Sequence, residues 1–118
     1  MRKATIGFAM CGSFCTFSNA LTEMEKLKEA GFDIIPIMSF NAYTTDTRFG
    51  KAEEINRRVE EVCGRGIIHT IPAAEPIGPK KMCDVIIVTP CTGNTLAKIT
   101  NGITDTPVTV SYTHLTLP

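Results

Sequence analysis

The sequence DVIIVTPCTGNTLAKIT, residues 84–100, carries the clearest fold signal of this 118-residue chain. Its run of β-branched apolar residues predicts a buried strand at residues 84–89, the clearest strand of the chain. Pro90 and Gly93 then turn the chain, and a helix is predicted from about Asn94 to Asn101. Polar side chains are therefore concentrated at the point where a buried strand meets a helix.

The flanking sequence alternates short apolar segments with longer amphipathic ones. Strands are predicted at residues 4–10, 32–38 and 67–71. A helix is predicted between a cap near Thr16 or Ser18 and a stop at Gly31, and a second from Arg48 to Cys63, ended by Gly64. Residues 39–47 and 72–79 are predicted loops, and residues 80–83 a turn of helix. Because proline has no N–H to donate, Pro36 should leave one side of the second strand weakly paired.

This order of elements predicts an α/β fold with three αβα layers, a Rossmann-like or flavodoxin-like parallel sheet. A fifth strand is expected near Pro107 and Val108, with further units to complete the sheet. Residues 110–118 show neither a helical stripe nor a strand pattern. We therefore expect a nucleotide-binding domain at residues 1–109 that is incomplete at its C-terminus. Residues 110–118 are interpreted as a tail from a truncation or a misjoined reading frame.

Charge and cysteine spacing exclude several classes of function. The 12 basic and 12 acidic residues leave no basic excess for binding nucleic acid or an anionic membrane. No apolar run is long enough to cross a bilayer. The five cysteines are scattered without a CxxC pair, which argues against a metal site. Buried, reduced thiols in a cytoplasmic protein are the favoured interpretation.

In parallel α/β sheets, ligands bind beyond the carboxyl ends of the strands, which selects the loops at residues 11–16, 39–48 and 90–95. In the first loop, Gly12 lets a ligand approach the backbone and Ser13 offers a hydroxyl to a phosphate; a plain turn is the alternative. Neither the GxGxxG fingerprint nor a Walker lysine is present.

Polar residues of the other two loops have both a ligand-binding and a structural interpretation. After the fourth strand, Thr89, Thr92, Asn94 and Thr95 could bond a flat heterocycle, or could simply cap the helix. In the middle loop, Arg48 or Lys51 could bind a carboxylate, or could be solvated charges. His69 is predicted to be structural, and Cys91 to be a backbone contact and small filler rather than a nucleophile.

The motif TPCTGNTLAKI at residues 89–99, followed by NGITD at residues 101–105, resembles the flavoprotein superfamily. That group includes phosphopantothenoylcysteine decarboxylase and the flavin prenyltransferases. The resemblance implies an FMN cofactor whose phosphate is contacted by Gly12, Ser13 and Ser39. It further implies that the turn after the fourth strand contacts the flavin, through Thr89, Pro90, Cys91, Thr92, Asn94 and Thr95.

Two further segments, TTDTRFGK at residues 44–51 and AEPIGPK at residues 74–80, resemble the B subunits of dipicolinate synthase. This resemblance implies an oxidoreductase subunit that oxidises a dihydro- or hydroxytetrahydro-dipicolinate precursor during endospore formation. The small dicarboxylate substrate would be bound by Arg48, Lys51 or Lys80; no catalytic residue is identified.

The same resemblance implies a partner and a cellular setting. The expected partner is the A subunit, through which NAD(P)H could act, and the full-length protein is expected to form a homo-oligomer. The expected location is the cytoplasm of the mother cell in a sporulating bacterium. The fragment alone is expected to be inactive.

Two other functions remain open at the level of sequence. The domain could be a non-catalytic partner that docks or activates the A subunit through the loop at residues 39–48. It could also be another nucleotide-binding α/β protein, such as an NAD(P) domain, although the missing GxGxxG motif argues against that.

Overall fold

The computed structural model describes residues 4–12, 17–48, 50–89 and 93–116, without the side chains of residues 94 and 112–116. Within these ranges lie the strands β1 (Thr5–Met10), β2 (Asp33–Met38) and β3 (Val85–Val88). The helices are α1 (Phe17–Glu29), α2 (Phe40–Thr44), α3 (Ala52–Cys63), α4 (Ile71–Ala74), α5 (Gly93–Thr100) and α6 (Pro107–Thr116), with a 3-10 turn at Glu75–Ile77.

The strands form a parallel sheet in the order β2-β1-β3, with β1 at its centre. In the register, Met10 lies opposite Met38, and Ala9 lies opposite Val88. Every residue of β1 is buried, as the apolar sequence of this strand predicts. The predicted parallel α/β fold, and the strands predicted at residues 4–10, 32–38 and 84–89, are confirmed.

Two apolar layers cover the two faces of β1. Successive side chains of a strand point to opposite faces, so Phe8 and Met10 pack with α1 and α3 while Ala9 and Cys11 face the other layer. That second layer includes Ile77 of the 3-10 turn and Val108 of α6. The chain therefore forms the predicted helix–sheet–helix arrangement around one central strand.

Glycines end α1 and α3 where the sequence predicts. Gly31 follows α1 with a φ of 97°, and Gly64 caps α3 with a φ of 70°. Both values lie in the left-handed region, which glycine adopts with little steric penalty. Arg58 of α3 also donates to Glu25 of α1 at 2.6 Å, which links the two helices on their solvent side.

The strand predicted at residues 67–71 is wrong, because only one bridge forms there, between Ile68 and Ile37. Ile68 N–H donates to the Pro36 carbonyl and Met38 N–H donates to the Ile68 carbonyl, each at 2.9 Å. The next step of this ladder would use the N–H of Pro36, which proline lacks. Pro36 therefore limits pairing on the outer side of β2, as predicted.

Helical turns replace the loops predicted at residues 39–47 and 72–79. The Ser39 hydroxyl accepts from Ala42 N–H and the Thr70 hydroxyl accepts from Ala73 N–H, each at 3.2 Å. These two caps start α2 and α4. Helices of four or five residues have too few turns to produce a periodic apolar stripe, so pattern analysis misses them.

The helix predicted from Arg48 begins four residues later, at Ala52. Thr47 and Gly50 exchange backbone hydrogen bonds, and Gly50 has a φ of 149°. The Asp46 carboxylate then accepts from Ala52 N–H at 2.8 Å. The helix therefore starts at the residue whose amide this side chain satisfies. The predicted turn of helix at residues 80–83 is likewise wrong: it is a turn with Lys81 at a φ of 48°.

The end of the described chain is helical, which contradicts the strand predicted near Pro107. Thr109 N–H donates to the Thr106 hydroxyl and Thr106 N–H donates to the Thr109 hydroxyl, each at 3.1 Å. This is a reciprocal capping arrangement, and Pro107 follows the cap, where its fixed φ suits a helix start. The β-branched residues Val108 and Val110 suggest a strand, but both are buried within α6.

We expect Thr106→Ala to lower the free energy of unfolding by about 1 kcal/mol, because it removes the side-chain cap of α6. Thr104→Ala, in the exposed loop just before, should change it by less than about 0.5 kcal/mol. Urea denaturation of the two variants measures both values. Equal losses would show that α6 does not depend on this cap.

Candidate functional site

The carboxyl ends of the three strands lie side by side. Ser39 N–H donates to the Met10 carbonyl at 3.0 Å, and Thr89 N–H donates to the Ala9 carbonyl at 2.8 Å. The residues that leave β2 and β3 are thus held against the end of β1, within the spacing of neighbouring strands. Three loops that are far apart in sequence begin at one edge of the sheet.

This edge also contains the topological switch point of the sheet. From β1 the chain crosses through α1 to β2 on one side, and it later reaches β3 on the other side of β1. In sheets of this kind the loops after two such strands diverge, and ligands bind in the crevice between them. Cys11 and Gly12 after β1, and Thr89 after β3, are the described residues that follow these two strands directly or by one position.

Ser39 is the best-defined polar residue of the edge. It is 9% exposed and its hydroxyl accepts from Ala42 N–H at 3.2 Å, so it caps α2. A serine hydroxyl that accepts one hydrogen bond still carries its own proton as a donor. Ser39 can therefore hold α2 in place and donate to an anion at the same time.

The turn after β3 is described only in part. Thr89 is half-buried, and Thr95 is 6% exposed in the first turn of α5. Lys98 forms an ion pair with Asp105 at 2.9 Å, which ties α5 to the segment before α6. The predicted contacts Ser13, Pro90, Cys91 and Thr92, and the side chain of Asn94, lie outside the described residues.

The three basic residues predicted to bind a carboxylate are all exposed. Arg48 lies in the turn between Thr47 and Gly50, and Lys51 is the residue before α3. Lys80 lies in the turn before the amino-terminal end of β3. Ser39 and Thr89, by contrast, follow the carboxyl ends of β2 and β3. The structure places Arg48 and Lys51 at the start of α3, and their role stays a prediction.

Two of the described cysteines, Cys63 and Cys83, are poor nucleophiles. Burial raises the pKa of the Cys63 thiol to about 11, against the opposing charges of Lys28 and Arg65. Burial also raises the pKa of Cys83. A thiol with a raised pKa stays neutral near pH 7 and reacts slowly. Within the described ranges, no group of three or more His, Cys, Asp or Glu side chains is placed to hold a metal ion.

A polar cluster beside α2 is not predicted from the sequence. The rings of Tyr43 and His69 stack with their centroids 3.7 Å apart, which gives His69 a packing role. Asn56 Nδ2 donates to the Tyr43 carbonyl at 2.8 Å. One signal could have revealed Asn56: it is a polar residue on the stripe of α3 that otherwise buries Ala52, Val59 and Cys63.

Across the part of the chain that the structure describes, no helix is both long enough and apolar enough to span a membrane.

Known proteins similar to this chain include two from Bacillus species. The B subunit of dipicolinate synthase from Bacillus subtilis (strain 168) is 38% identical over 108 residues, which cover 92% of this chain and 54% of that protein. The crystal structure of the dipicolinate synthase B subunit from Bacillus halodurans C matches with a TM-score of 0.82 and 33% identity, covering 97% of this chain and 58% of that one. This chain thus spans just over half the length of these relatives.

A third match extends the comparison beyond these two proteins. The crystal structure of the FMN-dependent cysteine decarboxylase SpaF has a TM-score of 0.74 and 23% identity, and the match covers 98% of this chain and 65% of that one. At this identity the likeness concerns the fold alone. A family model described as Flavoprotein matches residues 1–116. Because that match runs through nearly all of the chain, the chain belongs to the flavoprotein family.

Proposed function

We propose that the edge formed by the ends of β1, β2 and β3 binds FMN, and that the chain is the nucleotide-binding part of a dipicolinate synthase B subunit. The observation that supports this proposal most directly is a pair of backbone hydrogen bonds, from Ser39 N–H to the Met10 carbonyl and from Thr89 N–H to the Ala9 carbonyl. They hold the residues that follow β2 and β3 beside the end of β1. Membership of the flavoprotein family and the similarity to the two B subunits support the same assignment.

The residues present fit the two ends of FMN. The phosphate needs donors and a close approach, which Gly12 and the Ser39 hydroxyl supply; Ser13 is the further proposed contact. The ring system needs contacts beside the end of a strand, for which we propose Thr89 and Thr95 together with Pro90, Cys91, Thr92 and Asn94. When bound, FMN supplies the capacity to accept or donate electrons.

The finer proposal concerns the reaction and the partner. The full-length protein helps to oxidise a dihydro- or hydroxytetrahydro-dipicolinate precursor, with the A subunit as its partner and NAD(P)H acting through that partner. The substrate is a dicarboxylate, so Arg48, Lys51 or Lys80 would bind it through charge-assisted hydrogen bonds. We assign the protein to the mother-cell cytoplasm of a sporulating bacterium, as a homo-oligomer when full length, with residues 1–109 as its nucleotide-binding domain.

A second candidate is a non-catalytic subunit that docks or activates the A subunit. The observation in its favour is Phe40, a large apolar side chain that is 45% exposed in the segment proposed for docking. Arg48→Ala should weaken the complex with the A subunit if this function is right. An unchanged complex with lost turnover favours the enzymatic function instead.

We expect the chain to bind FMN with a Kd of about 1–10 μM, because a single negatively charged phosphate and one ring system provide the contacts. Titration with FMN fluorescence as the signal, checked by calorimetry, measures it. NADPH should not displace FMN, and if it does, a nicotinamide nucleotide is the ligand of this edge. Absence of binding up to about 100 μM FMN contradicts the cofactor proposal.

A further inference from the structure

A second cleft lies between α2 and α3, apart from the residues assigned to FMN. It has a volume of about 520 Å³, and it is largely open to solvent. Its walls are formed by the end of α2, by Asp46 and by one face of α3, through Tyr43, Thr44, Ala52, Glu53, Asn56, Arg57 and Glu60. Gly12, Ser39 and Thr89 do not line it.

The charge of this cleft is negative. Asp46, Glu53 and Glu60 contribute three carboxylates, and Arg57 contributes the one positive charge among the lining residues. The Arg57–Glu53 pair is long, at 3.5 Å, and both side chains are well exposed. Such a pair holds its carboxylate weakly, so Glu53 can accept from another donor.

Asn56 lines the cleft, and its side chain carries a buried acceptor. The side chain is 9% exposed, and its Oδ1 meets no hydrogen-bond donor among the described residues. The amide cannot be reversed to relieve this, because Nδ2 donates to the Tyr43 carbonyl at 2.8 Å and a carbonyl only accepts. A buried acceptor without a partner is unfavourable, and a ligand that donates to it would gain the bond.

These features together select the chemistry of the ligand. The lining groups are mainly acceptors, which disfavours carboxylates and phosphates. A metal ion needs several ligand atoms around one point, and the described acidic side chains form no such group. A planar or extended organic cation can instead reach separate acceptors with separate N–H groups.

We propose that the cleft between α2 and α3 binds an organic cation with several N–H donors, a guanidinium or alkylammonium group, which pairs with its carboxylates and with Asn56. The cation is either a free small molecule or an arginine or lysine side chain of a second copy of this chain. Both sources present the same group to the same acceptors, and the experiment separates them.

The probe is agmatine, which carries a guanidinium and an ammonium group, titrated calorimetrically into the 118-residue chain at low salt. We expect saturable binding with a Kd of about 1 mM or tighter. Glutarate, a chain of similar length with two carboxylates, should not bind there. Equal binding of glutarate, or no saturation with agmatine at about 20 mM, overturns the proposal.

Variants locate the site. Glu53→Gln should weaken agmatine binding about two- to fivefold, whereas Glu54→Gln, on the neighbouring position outside the cleft, should change it by less than about 1.5-fold. Asn56→Leu, which keeps the side-chain shape, should weaken it at least about tenfold. If Asn56→Leu does not fold, the comparison of Glu53→Gln with Glu54→Gln decides whether agmatine binds in the cleft. Both glutamate side chains are exposed, so neither substitution should disturb the fold. Equal effects at the two glutamates overturn the proposal.

Sedimentation of the same samples identifies the source of the cation. A chain that stays monomeric while it binds agmatine takes a free small molecule. A chain that self-associates and is dispersed by agmatine, but not by glutarate, receives a side chain of a second copy. Each outcome supports the cationic chemistry. Self-association that agmatine leaves unchanged, with no binding heat, contradicts it.

Discussion

Replacing Phe8 with alanine is expected to lower the free energy of unfolding by about 3–5 kcal/mol. Phe8 lies in the central strand between Pro36 and Ile87, and it is 1% exposed. Its ring packs in the same cluster as Met24 of α1 and Val59 of α3, so its removal leaves a cavity between the sheet and two helices. Urea denaturation followed by circular dichroism measures the loss.

That loss is large compared with the total stability of a small domain, which is about 5–15 kcal/mol. Phe40→Ala is the matched control, because Phe40 is 45% exposed and its truncation should change stability by less than about 1 kcal/mol. Similar losses of stability for the two variants would show that Phe8 does not pack between the sheet and the helices α1 and α3.

The central sheet is predictable because burial on both faces leaves a direct sequence signature. The apolar runs of β1 and β3, with helical stripes between them, permit few arrangements other than a parallel sheet. Since ligands of such sheets bind beyond the strand ends, the order of strands and helices along the chain is enough to select the loops. Ser39 and Thr89 lie beside the end of β1 as this rule requires.

The features that sequence analysis misses depend on single side chains rather than on periodicity. Ser39, Thr70 and Thr106 each start a helix through one hydroxyl, and none of these helices shows its start as an apolar stripe. The weak pairing of β2 at Pro36 is predicted, but its consequence, that only one bridge forms near Ile68 in place of a strand, is not. The capping residue Thr106, followed by Pro107, is a helix-start signal that competes with the β-branched residues after it, and in this chain the cap prevails.

The exposure of β3 shows a second limit of prediction from sequence. Its sequence is as apolar as that of β1, yet Val85 is 43% exposed and β3 pairs only with β1 among the described residues. Hydrophobicity indicates that a strand is suited to burial, but the neighbours that bury it come from other segments. The buried environment predicted for this strand is therefore wrong for the chain as described, although the strand itself is confirmed.

Ser39→Ala is expected to weaken FMN binding by about 10- to 100-fold, because a hydrogen bond to a charged phosphate contributes about 1.5–3 kcal/mol. Riboflavin lacks the phosphate, so its affinity should be nearly the same for the variant and the unchanged protein. Parallel titrations of the two flavins measure this difference. It separates the loss of a phosphate contact from a general distortion of the site, which would weaken both.

The matched control for that experiment is Thr70→Ala. Thr70 caps α4 with the same geometry, since its hydroxyl accepts at 3.2 Å from the amide three residues later, as the Ser39 hydroxyl does. Both variants should lose about 1 kcal/mol of stability through the missing cap. Only Ser39→Ala should lose FMN affinity, because Ser39 lies beside the end of β1 and Thr70 does not. Equal FMN affinity in both variants would remove Ser39 from the proposed phosphate site, even though its role in starting α2 would stand.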